Sequence, residues 1–314
     1  MHKILLTCPP MIGMVEEFKD EFKAVDFVVE IPEFTQEMSE DALVDIIADY
    51  DGWIIGDDPA TRRVLKAGVS GNLRACMRWG VGTNNVDFDA FREFNVPIEN
   101  TPGVFGREVA DLACSYVTAL ARQTFEIDRQ ARNGKWYKPV GISLWSTKAV
   151  IVGMGDIGSN LAQRLSAHDV DISYVDPFVE ENQLKVKCTK SAWPQVLGDV
   201  DFVIFTAPLN SATYHMFDHE CLSYINKPIY VVNVGRGPIV SQSALTTGLM
   251  AGKIKAAALD VFEQEPFEFS GDKVMSELKD RIIFGSHNGS NTRQAVEVVS
   301  RRCINRLTEM LRNA

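Results

Sequence analysis

A short β-branched run, Ala149-Val150-Ile151-Val152, breaks into Gly153-Met154-Gly155-Asp156-Ile157-Gly158 and resumes with apolar Leu161, Ala162 and Leu165 at helical spacing. Few stretches limit a fold so tightly. The run reads as a buried strand, the glycines as a tight turn, and the resumption as a helix packed back on the strand. Each glycine has a separate task. Gly153 permits the turn, Gly155 lets the backbone approach a pyrophosphate, and Gly158 lets helix and strand pack closely. The first helical N–H groups, on Asp156, Ile157 and Gly158, then face the phosphates. A second strand-like run, Asp171-Ile172-Ser173-Tyr174-Val175, ends in Asp176. That is close to the spacing of about 20 residues expected of a ribose-binding acid. A carboxylate there repels a 2′-phosphate, so the pattern points to NAD rather than NADP.

The chain has 314 residues, enough for two domains of ordinary size. Its net charge of −10 argues against a nucleic-acid surface, and an anionic substrate would need a few local arginines. Six cysteines, Cys8, Cys76, Cys114, Cys188, Cys221 and Cys303, are scattered with no Cys-x-x-Cys pair. They read as reduced thiols, not as a disulfide frame or a metal site. The N-terminal Ile4-Leu5-Leu6 is too short for a signal core, and no stretch is long and apolar enough to span a bilayer. Cytoplasm without membrane association is the expectation.

The first hundred residues alternate strands and helices. Strands are expected at Lys3–Thr7, Asp26–Glu30 and Gly52–Gly56. Helices are expected over Met14–Lys23, behind Ser39 as an N-cap, and from Asp58-Pro59 through Ala67. This alternation predicts a parallel sheet. A further strand ends in Arg78-Trp79-Gly80-Val81-Gly82-Thr83-Asn84-Asn85, whose N–H groups would suit a small anion or simply make a turn. Asn100-Thr101-Pro102-Gly103 marks a domain boundary. One long helix is expected from there to Asn133-Gly134. Its small residues suit close packing, within the core or against a second subunit. More strands follow near 200–205, 228–234, 256–261 and 281–284, then a final helix from Thr292 packing Val296, Val298, Val299, Ile304, Leu307 and Leu311. Several strands deliver polar groups at their C-terminal ends, where open parallel sheets bind ligands. Arg236, Glu265 and His287 stand out among them.

Together these residues resemble the D-2-hydroxyacid dehydrogenase family, the group that contains 3-phosphoglycerate dehydrogenase. The stretches that carry the resemblance are Trp79–Asp87, Asn100–Gly103, Val109-Ala110-Asp111, the glycine loop with Asp176, Ala207-Pro208-Leu209, Asn233–Gly237, Leu259–Phe262 with Glu265-Pro266, and His287–Ser290. The resemblance implies an α/β protein of two Rossmann-like doubly wound parallel-sheet domains with an interdomain cleft. Residues 1–101 and 288–314 would form the substrate domain, and residues 102–287 the NAD-binding domain. A homodimer built on the cofactor domain is also implied.

By the same resemblance Arg236 would hold the substrate carboxylate and carbonyl, a task suited to its planar fork. His287 would exchange a proton with the substrate oxygen, and Glu265 would pair with His287 and favour its imidazolium. Val81 and Gly82 would offer backbone N–H groups to the carboxylate. Asp260 would bond the nicotinamide amide, and Thr206, Ala207, Pro208 and Val234 would line the cofactor. Arg78 sits where it would contact a substrate phosphate or be an ordinary arginine at a strand end. Three departures from the family pattern are Ser146-Thr147-Lys148, where Gly-Lys-Thr is common before the strand that enters the glycine loop, Ser241, where an Asp often follows the arginine loop, and Phe105, where an Asn is common. The expected activity is hydride exchange between NAD and a D-2-hydroxy acid or 2-keto acid. 3-Phosphoglycerate, glyoxylate, hydroxypyruvate and D-lactate are all open as substrates. An NAD(H)-sensing corepressor is the expectation from another class.

Overall fold

The computed structural model describes residues 1–268 and 273–313. The chain divides into two compact units, Met1–Phe105 with Asn291–Ala314, and Gly106–Ser290.

The first unit holds five strands: β1 (His2–Leu6), β2 (Phe27–Glu30), β3 (Gly52–Ile55), β4 (Ala75–Arg78) and β5 (Ile98–Glu99). They pair in parallel in the order β2-β1-β3-β4-β5. The strand order reverses between β1 and β3, so the C-terminal ends of these two strands form a topological switch point. β1, β3 and β4 are almost wholly buried runs, as suits strands covered on both faces. Leu43, Ile47, Trp53, Leu65 and Phe91 fill one side of this sheet. The C-terminal helix Arg293–Asn313 packs against β3 and β4 with Val296, Val299, Ile304, Leu307 and Leu311 buried. Val298, expected in that packing, is 56% exposed because it falls on the opposite helix face.

The second unit holds β6 (Lys148–Val152), β7 (Asp171–Val175), β8 (Thr189–Lys190), β9 (Phe202–Phe205), β10 (Ile229–Asn233), β11 (Ile254–Leu259) and β12 (Ile282–Phe284). All its pairings are parallel, in the order β12-β11-β10-β9-β6-β7-β8. From β8 to β11 this is the doubly wound order 3-2-1-4-5-6, with β12 added at the edge. Its switch point lies between β6 and β9, which lead into the glycine loop and into Thr206.

Three local expectations need correction. The helix after Pro59 begins at Arg62 with Thr61 as its cap, accepting from Val64 N. Asp58 is unavailable for that task because its carboxylate is buried and accepts from Met38 N, Gly56 N and the Thr7 hydroxyl. The segment Met14–Lys23 opens as a 3₁₀ turn, Val15–Phe18, before the helix Lys19–Ala24. The long helix is broken into Gly106–Arg122 and Thr124–Arg132 by Gln123, whose φ is +55°. The returning chain causes the break: Ile142 N takes the Ala121 carbonyl at 2.9 Å, and Gln123 Nε2 donates to Val140 O.

Candidate active site

The glycine loop is shaped by neighbours on both sides. Gly153 has φ +94°, and a Cβ there would come within 2.6 Å of Ala207 Cα. A Cβ on Gly158 would lie 2.0 Å from the Gly153 carbonyl oxygen. Thr206 fastens this contact by donating its hydroxyl to that same carbonyl at 2.6 Å. Gly155 differs, since a Cβ there would meet nothing within 4 Å. It precedes the helix Asp156–Ser166, whose N-terminus has no side-chain cap. Exposed backbone at an uncapped helix start, beside β9, is the cradle that a pyrophosphate needs. Asp176 follows β7 and accepts from Met154 N at 2.7 Å and from Phe178 N at 2.8 Å. It therefore fixes the loop, and it is the acid expected from the sequence to meet a ribose. These residues fit a dinucleotide.

The catalytic candidates occupy the loops after β10, β11 and β12. Glu265 Oε1 accepts from Phe262 N at 2.8 Å, and Oε2 lies 2.7 Å from His287 Nδ1. Both side chains are about three-quarters covered. Arg236 extends from the end of β10, and Asn233 Nδ2 grips its carbonyl at 3.0 Å. Gly237 allows this loop to pack on the segment that carries Glu265, because a Cβ there would overlap the Phe262 carbonyl at 1.7 Å. Gly235 packs in the same way on Ala207 O. Ser241 caps the next helix by accepting from Ala244 N.

His287 has φ +53°, a conformation a β-carbon makes uncomfortable. Asp260 holds it there. The Asp260 carbonyl accepts from His287 N at 2.6 Å, and its carboxylate accepts from Asn288 N and Gly289 N. Burial raises the Asp260 carboxyl above the ordinary Asp value, and the Tyr116 hydroxyl beside it is raised by burial and by that carboxylate. Sequence reasoning missed this anchoring of the histidine loop. It also missed a second pair, His215 Nε2 with Glu263 Oε1 at 2.9 Å, in which Glu263 also accepts from Gln242 N. Only the position of Glu263, two residues before Glu265, pointed towards it.

Arg78, Val81 and Gly82 belong to the other unit. Val81 is 45% exposed at the end of the β4 loop, whereas Arg78 is buried. Phe105 packs on Trp79, with ring centroids 5.3 Å apart, and is core rather than surface. Among the described residues no cluster of three His, Cys, Asp or Glu could hold a metal, and no helix is long and apolar enough to cross a membrane.

The profile of the D-isomer specific 2-hydroxyacid dehydrogenase NAD-binding domain matches residues 114–289. A glyoxylate reductase of Korarchaeum cryptofilum is 33% identical over 236 residues, covering 73% of this chain and 70% of that one. A D-3-phosphoglycerate dehydrogenase of Methanocaldococcus jannaschii is 28% identical over 322 residues, covering 99% of this chain and 58% of that one. Among solved structures, a D-lactate dehydrogenase of Aquifex aeolicus complexed with NAD and lactic acid superimposes with a TM-score of 0.85. It is 18% identical and covers 99% of this chain and 96% of that one.

Proposed function

The chain belongs to the D-isomer-specific 2-hydroxyacid dehydrogenase family, NAD-dependent oxidoreductases, and from that premise we propose that Arg236, Glu265 and His287 carry its chemistry. NAD, when bound, supplies or accepts the hydride at C4 of its nicotinamide. Arg236 binds the carboxylate and the neighbouring oxygen of the acid, fixing C2 for transfer. His287 Nε2 gives a proton to that oxygen in reduction and takes it back in oxidation. Glu265 holds Nδ1 of the ring, which sets the tautomer and stabilises the protonated form. Val81 and Gly82 add backbone donors to the carboxylate.

At the turn that Gly153 allows, the backbone of Gly155, Asp156, Ile157 and Gly158 holds the pyrophosphate, and Asp176 holds the ribose. Thr206, Ala207, Pro208 and Val234 line the cofactor, and Asp260 meets the nicotinamide amide. Residues 1–101 and 288–314 serve the substrate and residues 102–287 the cofactor. A homodimer is supported by a run of exposed apolar residues in the second unit: Phe125 at 55%, Trp136 at 91%, Val140 at 90% and Trp145 at 70%. Six free cysteines support a cytoplasmic enzyme.

The observation that carries this reading is the His287–Glu265 contact at 2.7 Å, with both partners tied to the backbone. The test is NADH oxidation by the purified protein with glyoxylate, hydroxypyruvate, pyruvate and 3-phosphohydroxypyruvate, beside His287→Gln. Turnover of at least one acid, lost in the variant, supports it. Tight NADH binding with no turnover of any acid would favour a sensing protein instead.

A further inference from the structure

We propose that Asp57 is a specificity-determining residue that excludes a charged group at C3 of the substrate, so that the acid is small and unphosphorylated, of the glyoxylate or hydroxypyruvate kind. The inference rests on the reading of Val81 and Gly82 as donors to the substrate carboxylate.

Asp57 follows β3 at the switch point of the five-stranded sheet, the place where open parallel sheets bind ligands. Ile55 ends β3 and lies in register with Arg78, the last residue of β4. Asp57 and Arg78 therefore emerge side by side, and Arg78 Nη2 donates to Asp57 Oδ1 at 2.8 Å. The two members of this pair are unequally placed. The Arg78 side chain is 5% exposed and the Asp57 side chain 35%. Arg78 Nη1 is turned to the carbonyl of Trp79, and its buried Nε meets no acceptor. Gly80, at φ +129°, closes over the guanidinium, since a Cβ there would stand 2.9 Å from Nη1. The cation thus lies under the loop that leads to Val81 and Gly82, and the anion faces outward.

The surrounding bonds hold this arrangement. Asn85, in the loop after β4, donates to Gly56 O and Asp58 O on either side of Asp57. The Asp58 carboxylate is turned inward to Thr7, Met38 and Gly56. Gln36 Nε2 donates to the other Asp57 oxygen at 3.3 Å. A phosphoryl group arriving here would meet the Asp57 carboxylate before the Arg78 guanidinium, and like charges at close range oppose binding. A neutral C3 hydroxyl, by contrast, can donate to that carboxylate. Arg78 is consequently a counter-ion beneath the wall and not a phosphate ligand.

The experiment compares kcat/KM for hydroxypyruvate and 3-phosphohydroxypyruvate in NADH oxidation, for the native protein and for Asp57→Asn. The native protein should prefer hydroxypyruvate by about tenfold or more, and Asp57→Asn should move that ratio towards the phosphorylated acid by about tenfold, because Arg78 then lacks its neutralising partner. Native preference for the phosphorylated acid overturns the inference, as does an equal change for both acids. If Asp57→Asn does not fold, the native ratio is followed from low to high salt. Screening should narrow it, and a ratio indifferent to salt overturns the electrostatic cause. Turnover of no 2-keto acid at all would instead overturn the reaction on which the inference rests.

Discussion

Asp260 positions His287 through the main chain: its carbonyl receives the His287 N–H at 2.6 Å, while its carboxylate receives the next two N–H groups. The histidine's left-handed backbone is held by one aspartate at the end of the neighbouring strand. Asp260→Ala should leave the buried Gly289 N–H without an acceptor, at a cost of about 1–3 kcal/mol, and return the Asn288 N–H to water at little cost. It should lower kcat as well, since the imidazole loses its fixed origin. Chemical denaturation and steady-state kinetics on one preparation check both.

The same carboxylate gives a pH prediction. Burial raises its folded-state value above that of the unfolded chain. The stability contributed by the protonated form is therefore complete below the unfolded Asp value and is lost as pH rises through the raised one. Asp260→Asn does not titrate. The native protein should lose stability relative to Asp260→Asn as pH rises through that window. Parallel stability curves for the two proteins would contradict the burial argument.

Two glycines of the loop should behave differently. Gly155→Ala adds a methyl group to open space, so stability should stay within about 1 kcal/mol while NADH affinity falls. Gly153→Ala meets both a positive φ and the Ala207 backbone, so it should impair folding itself. Thermal unfolding with NADH titration separates the two effects. Normal NADH affinity in Gly155→Ala would remove that backbone from the phosphate site.

Removing the acid–base pair should be graded. His287→Gln should cost about 10²–10⁴-fold in kcat. Glu265→Gln keeps the shape but loses the charge beside Nδ1, and should cost less, roughly a hundredfold. Single-turnover measurements distinguish the chemical step from product release. Equal NADH binding in all three proteins is expected.

The exposed apolar run offers a direct test of assembly. Trp136→Glu together with Trp145→Glu should yield a folded monomer, whereas the native chain should sediment as a dimer. A native monomer at micromolar concentration would leave that surface without the proposed partner.

The sequence alone determined features that depend on near neighbours along the chain. The Gly153–Gly158 turn is dictated by backbone freedom within six residues, and Asp176 lies one strand further on, so both were legible. The alternation of buried strands and helices was legible for the same reason, because burial on both faces of a parallel strand is written in its side chains. The pairing of Glu265 with His287 was anticipated only through resemblance, since 22 residues and two loop geometries separate them. Tertiary structure alone decided the rest. Gln123 breaks a helix because a returning segment claims the Ala121 carbonyl. Asp260 became an anchor because β11 and β12 run side by side and bring residues 28 and 29 positions away to its carboxylate. Arg78 changed from a possible surface cation to a buried counter-ion because strand register set Asp57 beside it. A side chain's charge is written in the sequence, but which way it faces is set by the neighbour that neutralises it.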